Sequence, residues 1–197
     1  DVKLPSQARW DLCWEHRTRE GIVLSKIHYT PRNGQRRLVL NQAGLAQIHV
    51  PYDDNGARYH DISDYGLGGN YMAALNSTDC PGGKLLNFGS KSVICQQNEA
   101  RGAAFSTQTD SLPGNSFSLF SVSKIGAYNY IPIWRFLDDG SIEPGVGATG
   151  ALQRFGDRSV EPQGWLVAEN KVGIAHLHNF FWRLDFDLNS SSTDDYV

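Results

Sequence analysis

The sequence predicts an all-β fold, and three observations indicate it. Helical periodicity is scarce, and short runs rich in Val, Ile, Tyr, Phe and Trp recur between turns of Gly, Asn, Asp and Pro. The tripeptide Asp138-Asp139-Gly140 is typical of a tight hairpin between two such runs. At 197 residues the chain is long enough for one sizeable core, so a single domain over residues 1–197 is expected.

The strand-like runs follow one another along the chain, except across residues 53–76. That segment is rich in Gly, Asp and Tyr, and residues 71–75 are its candidate for a helical turn. The last run ends close to the polar tail, and a strong strand there leaves an edge that natural proteins seldom expose. We therefore expect a missing partner segment beside it. Strands are predicted at residues 8–16, 21–29, 36–49, 84–88, 92–97, 116–124, 128–136, 141–148, 164–168 and 171–188.

Composition excludes two classes of partner. The net charge is -3 and the sequence has no run of Lys or Arg, so neither nucleic acid nor an anionic membrane surface is expected as a partner. No stretch approaches the roughly 18 continuous apolar residues that a membrane-spanning helix needs.

Several features favour a secreted protein. The chain begins with Asp rather than Met, as a mature end does after a leader is removed. Asn76 and Asn189 each begin a tripeptide that accepts N-glycosylation. Cys80 and Cys95 are separated by a Gly-Gly turn and a short apolar run, the spacing of a hairpin that a disulfide could close. Cys13 is expected to be a small buried side chain.

The pair His176 and His178 is the first candidate for metal chemistry. Residues two apart on a strand project from one face, so both imidazoles could ligate one Cu, Zn or Fe ion, and nitrogen donors suit copper. Half-buried polar residues near a strand end explain the spacing equally well. Asp185 and Asp187, with the backbone carbonyl of Phe186 between them, could hold a hard cation such as Ca²⁺ or could form an exposed polar face.

Two further stretches are candidates for catalysis. Asp61, Asp64 and Tyr65 lie in a Gly-flanked loop, where a buried carboxylate could act as a general base and a solvated acidic loop is the alternative. The run from Ser123 to Tyr130 is rich in tyrosine, a composition typical of packing within a strand. A tyrosine that a bound metal ion reaches could instead carry redox chemistry.

The order of these pieces resembles the catalytic domain of the copper amine oxidases, the quinone-containing enzymes that oxidise primary amines. The similarity runs from Trp10 almost to the end of the chain. The matching segments are REGIVL at 19–24, AGLA at 43–46, VPY at 50–52, HDISDYG at 60–66, DC at 79–80, IC at 94–95, IGAYNY at 125–130, DGSIE at 139–143, GATG at 147–150, HLH at 176–178 and RLD at 183–185.

The resemblance implies a fold and a set of bound groups. Residues 1–197 would be the N-terminal half of the catalytic domain, part of a large antiparallel β-sandwich that a second chain completes. Tyr128 would be the precursor of the cofactor topaquinone, and His176 and His178 would be two of three copper ligands. Asp185, with the carbonyl of Phe186, would contribute to a peripheral Ca²⁺-type site. The resemblance also pairs the two cysteines of the 79–80 and 94–95 segments in a disulfide.

The resemblance implies catalytic roles as well. Asp61 would be the base that removes the substrate α-proton, Tyr65 the gate beside the quinone, and Tyr52 the hydroxyl that hydrogen-bonds a quinone oxygen. The reaction would be the oxidative deamination of a small primary amine by O₂, with release of an aldehyde, ammonia and hydrogen peroxide. None of the remaining histidines occupies the position of the third copper ligand. A second polypeptide is therefore expected to supply it, and pairs of such chains are expected to dimerise.

Two residues depart from the family pattern. The family has Asn before the cofactor tyrosine and Asp or Glu after it, where this chain has Ala127 and Asn129. These changes favour an alternative function, an amine-oxidase-like scaffold that has lost or repurposed the oxidase chemistry. A β-rich adhesion or carbohydrate-binding module would explain the composition and the glycosylation tripeptides, but it would not explain the ordered motifs.

Overall fold

The structure is a computed structural model that describes residues 1–54, 56–156 and 163–188. Strands make up most of these ranges. The helices are α1 (Asp61–Asp64) and a 3-10 helix (Gly69–Tyr71). The strands are β1 (Val2–Lys3), β2 (Arg9–Arg17), β3 (Gly21–Thr30), β4 (Arg37–Pro51), β5 (Arg58–His60), β6 (Lys84–Phe88), β7 (Lys91–Ser106), β8 (Ser111–Ser121), β9 (Ser123–Ile125), β10 (Tyr128–Leu137), β11 (Ile142–Gly150), β12 (Arg154–Phe155), β13 (Gly164–Ala168), β14 (Lys171–Ile174) and β15 (Asn179–Phe186).

The strands form three antiparallel sheets. The first has the order β1-β2-β3-β4-β15, with β5 paired to β4, and the second has the order β11-β10-β8-β7-β6, with β9 paired to β10. A smaller sheet of order β12-β14-β13 stands beside them. The prediction of an all-β, antiparallel fold is confirmed.

A shared apolar core joins the two large sheets. Trp10 of β2 is fully buried, and its ring centroid lies 5.2 Å from that of Phe136 on β10. The indole Nε1 donates a hydrogen bond of 2.8 Å to the carbonyl oxygen of Leu137, which satisfies the polar atom inside the core. A second cluster, including Ile48, Val50 and Ile174, lies beneath the tyrosines of β10.

The hairpin and the disulfide follow the prediction. Gly140 takes a φ of 95° in the turn between β10 and β11, a left-handed conformation that favours glycine. Cys80 and Cys95 form a disulfide with their Cα atoms 5.6 Å apart. Cys13 is exposed, so its predicted burial is wrong. It alternates on β2 with Leu12 and Trp14, which pack against the core.

Two predicted elements are wrong. No helical turn forms at 71–75 beyond Tyr71, because backbone groups there bond to other parts of the chain. Ala73 N–H donates to the carbonyl of Val122, between β8 and β9, and Leu75 N–H donates to that of Ser92 on β7. The predicted strand 171–188 is two strands in different sheets, broken at residues 175–178 where the chain crosses from β14 to β15.

Other boundaries differ from the prediction without changing the architecture. The run 116–124 divides into β8 and β9, and β7 extends well past residue 97. The short strands β1, β5 and β12 were not predicted, since two or three residues carry too little periodicity to be recognised. Within the described part of the chain, no helix is both long and apolar enough to cross a membrane.

The buried indole of Trp10 gives a test of this core. Replacing Trp10 by Phe removes the donor to the Leu137 carbonyl and leaves a void, so we expect the free energy of unfolding to fall by about 2 kcal/mol or more. Urea denaturation measures the change. The matched control is Trp165→Phe, at a side chain that is 50% exposed, where we expect a change within about 0.5 kcal/mol. Equal effects of the two substitutions would contradict this core assignment.

Candidate functional site

Strand β10 presents two tyrosines on one face. Gly126 and Ala127 form the turn between β9 and β10, and Gly126 has a φ of 58°, a left-handed conformation. Tyr128 begins the strand immediately after this turn. Because side chains alternate along a strand, Tyr128 and Tyr130 project from the same face and Asn129 from the other. The turn therefore places both tyrosines at the start of β10, on one face of the second sheet.

The histidine pair lies on the crossing segment rather than within a strand. His176 forms an isolated antiparallel bridge with Tyr52, next to the end of β4, and Asp53 N–H donates a hydrogen bond of 2.7 Å to the carbonyl of Ala175. Leu177, between the histidines, is 67% exposed. The ring centroids of His176 and His178 lie 5.0 Å apart. The imidazoles are thus adjacent, although the strand that we predicted for them is wrong.

Tyr128 contacts the first histidine directly. Its hydroxyl lies 2.9 Å from His176 Nε2 and accepts a hydrogen bond of 3.0 Å from the backbone N–H of Gln153. His176 Nδ1 lies 3.0 Å from the carbonyl oxygen of Ile174. A carbonyl can only accept, so this hydrogen-bond pattern assigns the proton to Nδ1 and leaves the Nε2 lone pair facing the Tyr128 hydroxyl.

Tyr130 contacts both the second histidine and a carboxylate. The side chain is fully buried, and its hydroxyl donates a hydrogen bond of 2.6 Å to Asp61 Oδ2. The same oxygen lies 2.7 Å from His178 Nδ1. Burial, and then the charge of neighbouring His176, lower the pKa of His178 to about 4, so its imidazole is neutral at neutral pH.

Asp61 is a buried acid at the start of α1. Only 5% of the residue is exposed, and burial is the largest cause that raises the pKa of its carboxyl, opposed by the hydrogen bond from Tyr130. Helix α1 is attached to β4 because Gln47 Oε1 accepts the N–H of Ile62 at 3.1 Å and Gln47 Nε2 donates to Ser63 Oγ at 2.7 Å. These contacts fix the carboxyl relative to the tyrosine pair.

The loop after α1 is pressed against the turn between β2 and β3. A Cβ atom on Gly68 would lie 2.2 Å from the carbonyl oxygen of Arg17, so only glycine fits there. Gly68 N–H donates to the carbonyl of Thr18 at 3.0 Å, and Leu67 N–H donates to that of Arg19 at 2.7 Å. The Gly-rich sequence after Asp61 therefore serves close backbone packing.

A cavity of about 300 Å³ opens beside Asp61, Tyr128 and Tyr130. Asp61 lies in its wall together with six tyrosines: Tyr52, Tyr59, Tyr65, Tyr71, Tyr128 and Tyr130. Tyr52 is buried and stacks on His176 with ring centroids 4.5 Å apart, and burial is the chief cause that raises its pKa. Tyr65 is 40% exposed and pairs edge to face with Tyr71 at the rim. A small organic molecule fits this space.

The donor set suits a transition metal. His176 and His178 provide imidazole nitrogens and Tyr128 a phenol oxygen, ligands that copper accepts. Within residues 1–54, 56–156 and 163–188, no group of three or more His, Cys, Asp or Glu side chains could hold a metal ion. The described residues therefore fit two of the three predicted copper histidines, and copper binding by this pair stays a prediction.

The remaining predicted sites lie away from the cavity. Asp185, on β15, accepts a hydrogen bond of 3.0 Å from Asn41 Nδ2, and Phe186 pairs with Leu40 of β4. Asn76 is exposed in a turn, as glycosylation requires. Asn189 lies outside the described residues. The calcium and glycan assignments stay predictions.

Sequence reasoning missed several members of the site. Tyr130 had no assigned role, although its spacing from Tyr128 on a strand indicates a shared face. Tyr59 and Tyr71 line the cavity from β5 and the 3-10 helix, which no pattern predicted. Gln153 acts through its backbone, for which no sequence signal exists.

The fold and the site define a β-sheet protein with a tyrosine beside a pair of adjacent histidines. The family described as copper amine oxidase, enzyme domain, matches residues 6–194. The chain belongs to the copper amine oxidase family, as its motifs predicted.

Known relatives agree with this assignment. Primary amine oxidase 2 of Arabidopsis thaliana is 27% identical over 93% of this chain and 33% of its own length. Primary amine oxidase of Klebsiella aerogenes is 26% identical over 93% of this chain and 28% of its own length. A copper-containing benzylamine oxidase from Hansenula polymorpha shares the fold with a TM-score of 0.75 at 24% identity, over 90% of this chain and 31% of that one. The chain thus spans about a third of the length of these relatives.

The raised pKa of Asp61 makes stability depend on pH. A raised pKa means that the folded chain binds the Asp61 proton more tightly than the unfolded chain does. The contribution of Asp61 to stability is therefore greatest below the ordinary pKa of 3.8, and it declines as the pH rises through the folded pKa. Asp61→Asn lacks this proton. We expect the stability of the variant, relative to wild type, to be higher at about pH 7 than at about pH 3. Urea unfolding at both pH values measures the difference, and the opposite trend would contradict the assignment.

Proposed function

We propose that this chain contributes part of the active site of a copper-dependent primary amine oxidase. Such an enzyme converts a small primary amine, O₂ and water into an aldehyde, ammonia and hydrogen peroxide. The observation that carries the proposal is the 2.9 Å contact between the Tyr128 hydroxyl and His176, with His178 and Asp61 joined to the neighbouring Tyr130. Membership of the copper amine oxidase family supports the same reaction class.

His176 and His178 would hold the copper. His176 presents an unprotonated Nε2 on the side of Tyr128, which suits a metal ligand. A topaquinone formed from Tyr128 would supply the electron sink for amine oxidation, a chemistry that ordinary side chains lack. Tyr52, stacked on His176 in the wall of the same cavity, is close enough to the site to serve as the hydroxyl that hydrogen-bonds the cofactor ring.

Asp61 would act as the base that takes the substrate α-proton. Oδ2 already accepts the Tyr130 hydroxyl, which leaves Oδ1 for the substrate in the cavity. Burial raises the pKa of the carboxyl, so its ionised form is a stronger base than that of a solvated aspartate. Tyr65, at the rim of the cavity and partly exposed, is the aromatic ring placed to act as a gate.

A further polypeptide segment would supply the third copper histidine. The outer edge of β15 has no strand partner among the described residues. Phe181, Leu184 and Phe186 on this strand are exposed, and an apolar strand edge of this kind is normally covered. A segment that adds strands here would enter the sheet next to His178. Complete units would dimerise, an expectation that rests on membership of the family.

Ala127 and Asn129 support a second candidate, a scaffold without oxidase activity. Ala127 lies in the cavity wall beside Tyr128, and its methyl group cannot form the hydrogen bonds of the asparagine that the family has there. Asn129, on the other face of β10, lacks the charge of the family's acidic residue. The protein would then bind a metal or a small ligand without turning over an amine.

Two peripheral assignments extend the proposal. Asp187 Oδ1 is buried without a hydrogen-bond partner among the described residues, close in sequence to Asp185 and the carbonyl of Phe186, and a Ca²⁺ ion would satisfy it. The disulfide and the exposed Asn76 support an extracellular protein, although two Arabidopsis relatives are named as peroxisomal. Metal analysis and mass spectrometry of the Asn76 peptide test the two assignments.

The oxidase proposal is tested on protein purified from its natural source. We expect amine-dependent release of hydrogen peroxide and a coloured phenylhydrazine adduct that peptide mapping locates at Tyr128, because an unmodified tyrosine has no carbonyl group to form a hydrazone. Recombinant Tyr128→Phe should form none, whereas Tyr71→Phe, at the cavity rim, should still form it.

The outcomes separate the two candidate functions. An unmodified Tyr128 peptide with no amine oxidation would reject the oxidase and leave the scaffold. The same preparation tests the proposal that a further polypeptide segment supplies the third histidine. That proposal predicts that polypeptide beyond these 197 residues either copurifies with the chain or continues it. An active enzyme made of this chain alone would contradict it.

A further inference from the structure

We propose that Tyr130 is a positioning residue that fixes the orientation of the Asp61 carboxyl and the tautomer of His178 through one hydroxyl group. The inference deepens the proposed function and rests on it, since the orientation of Asp61 matters for catalysis only if Asp61 is the base. The hydrogen-bond chain itself is a property of the folded protein and can be measured without turnover.

The hydroxyl of Tyr130 has one proton and two neighbours. It lies 2.6 Å from Asp61 Oδ2 and 2.7 Å from His178 Nδ1. A carboxylate accepts and cannot donate, so the Tyr130 proton points to Asp61. The Tyr130 oxygen must then accept, and His178 must donate from Nδ1. The chain therefore runs from His178 Nδ1–H to the Tyr130 hydroxyl and on to Asp61 Oδ2.

The position of Tyr130 leaves the hydroxyl little freedom. Tyr130 is fully buried, and on β10 it pairs with Ala148 of β11 on one side and Ser123 of β9 on the other. Its ring packs edge to face against His178 and Phe180, with centroids 5.5 Å and 6.3 Å apart. Because strands on both sides hold the backbone and neighbouring rings hold the side chain, the Tyr130 hydroxyl has a fixed position between the Asp61 carboxyl and the His178 imidazole.

This fixed point orients two functional atoms. A proton held on His178 Nδ1 leaves Nε2 with its lone pair, the form in which an imidazole binds a metal. A hydrogen bond held at Asp61 Oδ2 leaves Oδ1 as the carboxylate oxygen available to a molecule in the cavity. His176 reaches the same tautomer by another route, through the carbonyl of Ile174. Tyr130 thus does for His178 what a backbone carbonyl does for His176.

Loss of the hydroxyl has defined consequences. In Tyr130→Phe, Asp61 loses a donor that stabilises its ionised form, so its pKa rises. His178 loses the acceptor for Nδ1–H, so the tautomer with the proton on Nε2 becomes populated. Apart from Tyr130, the titratable groups that act on Asp61 are Asp64 and His60, and Tyr52 and Tyr65 share the cavity wall. These four groups stay in place in this variant.

The test uses the full chain without metal. Long-range ¹H–¹⁵N spectra report the tautomer of each histidine, and the side-chain ¹³C shift of Asp61 reports its titration. Wild type should show His178 as the Nδ1–H tautomer. Tyr130→Phe should show a mixture of tautomers and an Asp61 midpoint about 1 pH unit higher, the size of one charge-assisted hydrogen bond. The control Tyr29→Phe, which removes a hydroxyl hydrogen bond to the Asp138 carbonyl away from the cavity, should change neither signal.

A second variant keeps the proposal testable if Tyr130→Phe does not fold. Asp61→Ala removes the acceptor, so the Tyr130 proton turns to His178 Nδ1 and the Nε2–H tautomer should dominate. An unchanged Nδ1–H signal in either variant, or an unchanged Asp61 midpoint in Tyr130→Phe, overturns the proposal. Failure of the oxidase proposal would leave these spectra as expected, so the two failures are distinguishable.

Discussion

Two hydrogen bonds between β10 and the crossing segment at residues 175–178 organise this site. Tyr128 bonds to His176, and Tyr130 bonds to His178, so a spacing of two residues on a strand meets a spacing of two residues on the crossing segment. Each bond joins the second sheet to a segment that continues into the first. The site therefore depends on how these sheets are held together, and the buried core around Trp10 serves that purpose.

The same geometry separates two chemical roles. Tyr128 is half-buried and faces a histidine and a backbone N–H. Tyr130 faces a histidine and a carboxylate, and is fully buried. The two tyrosines of one strand are thus suited to different tasks, because Tyr128 is partly exposed to the cavity whereas Tyr130 is fully buried.

Much of this arrangement could be predicted from the sequence. Runs rich in Val, Ile, Tyr, Phe and Trp between turn residues identified most strands, and the Gly-Gly spacing indicated the disulfide between Cys80 and Cys95. The ordered motifs identified the family and brought forward Asp61, Tyr128 and the histidine pair. These features are local, and each leaves a signal within a few residues.

The parts that could not be predicted depend on contacts distant in sequence. The break at residues 175–178 arises because the chain changes sheets and bonds to residues 51–53, which no local pattern records. Helix α1 is four residues long and is held by Gln47 from another element, so periodicity could not reveal it. The role of Tyr130 emerged only when Asp61 and His178 were brought to opposite sides of one hydroxyl.

Copper-edge anomalous diffraction from crystals of the copper-loaded protein, assembled with the segment that supplies the third histidine, tests the central claim most directly. The account predicts one strong peak bound by Nε2 of both His176 and His178, adjacent to the Tyr128 hydroxyl, and its loss in a His176→Ala, His178→Ala double variant. Copper bound elsewhere, for instance at the half-buried His28, with no density between His176 and His178, would contradict it.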